Sequence, residues 1–196
     1  MRCASFAALI AAFVLAACSP AEEEVVLALP PAPDDRFTEV PEAPQVVEVS
    51  RAAAKTRDEL IHEATKGSLR GLGVIASRNP EFKSNVGGQS HDRFWDLLRR
   101  TGVDPNRKLR ELFEQPAGLR EIDGQRWYVW PDLAAKDAAD LIPEKLTFQD
   151  RRRLEELIRE DGIAKIRAGE GYPGMRTAIA EDGTWIYFVL GQDGEE

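Results

Sequence analysis

Met175-Arg176-Thr177-Ala178-Ile179-Ala180, Glu181-Asp182-Gly183 and Thr184-Trp185-Ile186-Tyr187-Phe188-Val189-Leu190 form the stretch on which the fold turns. Two runs rich in β-branched and aromatic residues flank an Asp-Gly pair, the pattern of an antiparallel hairpin. Strand alternation puts Trp185, Tyr187 and Val189 on one face, and Ile186, Phe188 and Leu190 on the other. Both sets are apolar, so both faces of the second strand need cover, from helices or another layer. Trp185 is therefore expected in a core. Gly183 is expected at positive φ, which a side chain with a Cβ resists.

Working upstream, Leu119 to Ile122 and Gln125 to Trp130 flank Asp123-Gly124, a second hairpin. The rest reads as helices. One starts at Ser50 or Thr56 and stops at Gly67, with Ala53, Leu60, Ile61 and Ala64 on one face. A short one follows from Leu69 to Ser77. Glu81 to Val86, before Gly87-Gly88, is expected as a strand and turn. Ser90 opens a helix carrying Phe94, Leu97 and Leu98 and stopped at Gly102. Asp104-Pro105 starts one that buries Leu109, Leu112 and Phe113. An Ala/Leu helix is expected from Asp132 to Leu141. Another, capped at Thr147 and ended by Gly162, turns Leu154, Leu157 and Ile158 inward. The sum is one α+β domain over 51–190: N-terminal helices, then a small antiparallel sheet with helices packed on it. The opening order, two helices then a strand, is also similar to the NTF2-like cone, the alternative architecture.

Two motif groups carry a resemblance. Gly171-Tyr172-Pro173-Gly174-Met175-Arg176 with Asp182-Gly183-Thr184-Trp185 and Phe188, and Tyr128-Val129-Trp130-Pro131, resemble uncharacterised proteobacterial envelope proteins. The resemblance spans roughly residues 55–190. It implies an address and no activity, and brings no catalytic residue.

The N-terminus points the same way. After Met1-Arg2 the chain is uncharged and apolar from Cys3 to Ala17. That is signal-peptide length, short of the about 20 residues a spanning helix needs. Leu15-Ala16-Ala17-Cys18 resembles the lipobox of bacterial lipoproteins, which implies cleavage before Cys18 and lipid on it. Such proteins usually carry three acyl chains, and two already give stable anchoring. Residues 1–17 are thus expected as a signal, and 18–50 as a disordered tether. The tether holds six prolines, eight acidic residues and one basic residue, a composition that buries too little apolar surface to fold. Its reach is about 30 Å as flexible coil and at most about 100 Å as polyproline helix. Residues 191–196 form an acidic tail. The expected place is the cell envelope, lipid-anchored at the outer membrane and facing the periplasm.

Composition narrows the chemistry. The chain has 196 residues and a net charge of -8, with acids concentrated in 18–50 and the tail. Residues 51–192 hold 23 acidic and 24 basic residues, close to neutral. Nucleic-acid binding asks for a basic face, and no nucleic acid is expected as partner. The two cysteines are Cys3 and Cys18. Without them the mature domain has no disulfide, thiol nucleophile or thiolate metal site. Two histidines, His62 and His91, are too few for a histidine zinc site. Neither metal nor cofactor is expected.

The remaining constellations are weak. Gly71-Leu72-Gly73-Val74-Ile75-Ala76 matches a dinucleotide fingerprint as a string, but a helix precedes it where the mechanism needs a strand. Ser90, His91 and Asp92 are adjacent, and adjacent residues at a helix start cannot form a triad among themselves. His62-Glu63 reads as a surface pair. Arg151-Arg152-Arg153 reads as a solvated face, with Arg151 reaching Glu155 and Arg152 reaching Glu156, or as an anion patch through Arg151 and Arg152. Tyr128 and Trp130 share a strand face. With Trp127, Tyr172 and Trp185 they read first as core; the alternative is a shallow groove of Tyr128, Trp130 and Tyr172, with Arg176 beside it, for sugar or extended peptide. The expected function is a non-catalytic interaction domain for a protein, peptide or glycan, with no catalytic residue assigned. The alternative is an NTF2-like hydrolase or isomerase whose pocket holds His91 or a carboxylate as general base.

Overall fold

The computed structural model describes residues 47–84 and 90–190. The expected signal, Cys18, the tether up to residue 46, the turn over 85–88 and the tail 191–196 lie outside the described residues. No described helix is long and apolar enough to cross a membrane.

The domain is α+β, with α1 Arg51–Thr65, α2 Leu69–Ala76, α3 His91–Arg100, α4 Pro105–Phe113, β1 Gly118–Ile122, β2 Gln125–Trp130, α5 Phe148–Leu157, α6 Arg159–Arg167, β3 Met175–Ala180 and β4 Trp185–Leu190. The four strands form an antiparallel meander in the order β1-β2-β3-β4. Both hairpins fall where expected. Asp123 and Gly124 both take positive φ (52° and 76°), as a two-residue loop matched to strand twist demands.

The two sheet faces carry two cores. On one, Tyr128, Trp130, Ile179, Trp185 and Phe188 pack with α1–α4 through Leu60, Leu72, Trp95, Leu109 and Leu112. On the other, Val129 and Ala178 pack with Leu133, Leu141, Leu154, Ile158 and Ile166. The cover on both sides matches the expectation for β4, but its alternation does not hold. Ala178 pairs with Tyr187 while Ile179 pairs with Trp185, leaving Ile186 as an extra residue on β4. This bulge shifts the parity. Trp185 therefore shares a face with Phe188, with ring centroids 6.2 Å apart. Ile186 and Tyr187 join the second core. The sheet is packed on both faces, so it does not form the open cone of the alternative architecture.

Helix ends follow from their caps. Ser50 Oγ accepts from Ala53 N (3.1 Å) and donates to Glu181 O (2.6 Å). Thr56 opens no helix; it lies inside α1, and its hydroxyl donates to Gly183 O (2.7 Å). Val47 and Val49 pack against the first core, so the fold begins before Arg51. On α3 the buried residue is Trp95, while Leu97 is 53% exposed. The inward stripe runs His91-Trp95-Leu98 at i, i+4, i+7 spacing rather than through Leu97. The expected strand at 81–86 reduces, in its described part, to one parallel bridge. Lys83 N donates to Ile186 O and Phe188 N to Lys83 O, each at 3.0 Å.

Two expected helices differ. Residues 132–141 carry a 3₁₀ turn at Asp132–Ala135 and a second turn closed on Asp137 O, with no regular helix. Asp132 N is taken by Pro116 O (2.8 Å) and its carboxylate by Arg153, which ties the segment down before a regular helix develops. The helix from Thr147 breaks at Ile158 (φ -130°, ψ 44°), not at Gly162. Ile158 leaves helical geometry and is buried, and α6 then passes over it. A Cβ on Gly162 would sit 2.8 Å from Ile158 Cβ. Glycine there permits close approach and does not end the helix.

Trp185→Ala should destabilise the domain by about 3–5 kcal/mol, the range for large buried aromatics. Gly183→Val should do so by another route. Gly183 has φ 93°, and its Cβ would lie 3.0 Å from Ala52 O. Chemical denaturation of the full chain checks both. An unmoved midpoint for Trp185→Ala would remove Trp185 from the core.

Candidate functional site

The core reading of the aromatics holds, and the alternative groove does not assemble. Tyr128 is 3% exposed and Trp130 2%, both inside the first core. Tyr172 is 8% exposed and belongs to the second core, on the other side of the sheet. Arg176 Nη1 donates to Tyr172 O and Gly174 O (both 3.2 Å), bracing the entry to β3. Burial raises the Tyr172 and Tyr187 phenols above their ordinary pKa. Strand alternation placed Tyr128 and Trp130 together correctly; it carried no information on which side Tyr172 would land.

The arginine triplet divides three ways. Arg151 Nε donates to Pro143 O (2.8 Å), not to Glu155. Arg152 meets Glu156 at 3.1 Å, as expected at i,i+4 spacing. Arg153 turns inward to bond Asp132 and Asp150, the latter at 3.1 Å. Arg151 and Arg153 thus hold the 132–145 segment to α5. Of the triplet, Arg152 faces solvent, already opposite a carboxylate.

Gly71 and Gly73 lie within α2, and a helix, not a strand, precedes them. His62 is exposed, and Glu63 pairs with Lys66 at 3.0 Å. No group of three or more metal-ligating side chains occurs among the described residues.

His91 is placed more distinctively. Its Nδ1 lies 2.8 Å from Ser84 Oγ. The ring meets Phe82 edge-on, with centroids 4.8 Å apart, and Trp95 at 5.9 Å. Burial lowers its pKa below the ordinary histidine value, with Asp92 opposing. A cleft of about 270 Å³ beside it is lined by Arg70, Gly73, Val74, Ser77, Ser90, His91 and Asp92. Ser84 was not paired with His91 in sequence, because a single bridge to β4, without helical or strand periodicity, brings them together.

The residue that sequence reasoning missed is Phe148, the first residue of α5, which is 81% exposed. Its place in the expected cap Thr147-Phe148-Gln149-Asp150 hid it. Beyond it, Glu155, Arg159, Glu160, Ile163, Ala164 and Arg167 line an open cleft of about 770 Å³. Glu155 is seven residues along α5 from Phe148, about 10 Å of helix.

No family model matches the chain, and no curated protein or solved structure is found similar to it.

Removing Arg153 strands two carboxylates, so Arg153→Ala should cost about 1–3 kcal/mol. Arg152→Ala should stay within about 0.5 kcal/mol. Equal effects in thermal melts would contradict this division. His91 should titrate below 6.5 in NMR. Its folded pKa is depressed, so its contribution to stability is present above the unfolded value and is lost as pH falls through the folded one.

Proposed function

We propose that this chain is a lipid-anchored envelope protein, held through Cys18, whose domain is an interaction module for a protein or peptide partner. The exposed Phe148 carries the binding part of this reading. Large aromatics that stand out on ordered helices are the side chains that interfaces enrich and bury as anchors. The cleft farther along α5 and α6 mixes Arg159 and Arg167 with Glu155 and Glu160 around Ile163 and Ala164. An apolar centre within a charged rim suits a protein surface. The other large aromatics proposed for binding are spent on the two cores, which favours α5 and α6 over the sheet as the contact surface. The anchor rests on Leu15-Ala16-Ala17-Cys18, and the tether after it would let the domain stand clear of the membrane.

Cys18→Ser should leave the membrane fraction, and the wild-type mature protein should begin at an acylated Cys18 by mass spectrometry. An unmodified Cys18 in a membrane-bound full-length chain would remove the anchor. Phe148→Asp should abolish co-purification of the partner from detergent-solubilised envelope while leaving the melting temperature unchanged. Retention of the same partner by Phe148→Asp would move the site off α5. Recovery of glycan in place of protein would change the partner class.

A further inference from the structure

We propose that Ser84 is an activated nucleophile with His91 as its general base, able to take an acyl group from a small ester. This goes beyond the binding reading and rests on no part of it. Three observations converge. First, Ser84 Oγ and His91 Nδ1 are 2.8 Å apart, within the reach of a nucleophile–base pair. Second, the imidazole is held from the side. Phe82 meets it edge-on at 4.8 Å and Trp95 lies at 5.9 Å, so aromatic packing does the orienting that a carboxylate does in other nucleophile–base sites. Third, both side chains are half-buried rather than sealed, and the cleft lined by His91 and Arg70 offers a small space beside the base. The burial that lowers the imidazole pKa keeps it neutral near pH 7, the state that accepts a proton.

The backbone supports the placement. Lys83, next to Ser84, is fixed to β4 by two hydrogen bonds of 3.0 Å, and His91 opens α3. The serine thus leaves a sheet edge and the histidine begins a helix whose Trp95 sits in the core. The reaction balances on these two groups and water. Ser84 Oγ bonds to the ester carbonyl carbon while its proton passes to His91 Nδ1. The carbon–oxygen bond to the alcohol then breaks, and the alcohol leaves with that proton. Water, deprotonated by His91, attacks the acyl-serine, releases the carboxylic acid and restores the Ser84 hydroxyl.

A small alkyl fluorophosphonate tests the proposal on the full chain. The serine oxygen displaces fluoride, leaving a stable phosphonyl adduct that peptide mass spectrometry locates. The expected result is an adduct on Ser84, absent in Ser84→Ala, and formed on the order of 10²–10⁴-fold more slowly in His91→Gln. The melting temperature of each variant reports its folding, and His91→Asn replaces His91→Gln if the latter fails to fold. No adduct on Ser84 in the folded wild type overturns the proposal. Labelling of Ser84 that is undiminished in a folded His91 variant overturns the role of His91.

Discussion

The indole N–H of Trp185 is buried inside an apolar cluster and must find an acceptor there. It donates to Thr177 Oγ1 at 2.8 Å, and that hydroxyl in turn donates to Tyr187 O at 2.7 Å. Leaving either group unmet in such surroundings costs about 1–3 kcal/mol. The relay is possible because the bulge at Ile186 brings Trp185 onto the face of Thr177. Once Trp185 is there, Phe82, Trp95 and Phe188 surround it at 4.5 to 6.2 Å between ring centroids. The strap at 82–84, the start of α3 and the close of the sheet are all positioned by that aromatic group.

The same arrangement decides what is left for the surface. With Trp130 and Tyr128 under α1–α4 and Tyr172 under the opposite layer, the aromatics of the C-terminal half are used in packing. Arg151 and Arg153 are used in holding a loop. Among the described aromatic residues, Phe148 on α5 is left exposed. The Ser84–His91 contact lies apart, at the rim of the aromatic group. Phe82 and Trp95 belong to both the core and the setting of His91. A change in either would therefore disturb that pair and the fold together.

Much of the fold was legible because strong local signals agreed with the global packing. Two Asp-Gly turns between apolar runs marked both hairpins, and Ser50, Asp104 and Thr147 marked helix starts. The misreadings have physical sources. A bulge adds one residue without a sequence signature, and it moved Trp185 from the face of Tyr187 to that of Phe188. A glycine inside a helical pattern reads as a stop, whereas Gly162 serves a close contact with Ile158. Helical composition at 132–141 lost to long-range ties from Pro116 and Arg153. The candidate sites were less legible, since periodicity reports which residues share a face and says nothing about what covers it. Phe148 and Ser84 depend on such coverage and on a single bridge.

The hydroxyls of Ser50 and Thr56 reach across 131 and 127 residues to Glu181 O and Gly183 O. The domain is thus laced from its first helix to its last turn. A chain synthesised from its N-terminus can form α1 early and pack it on α2 and α4, but the two carbonyls that fix its start arrive only with the final turn. Contacts of that span close late and slow folding. The last turn therefore completes the fixing of α1 to the sheet. Truncation there removes more than a strand, because the opening helix loses the two carbonyls that hold its start.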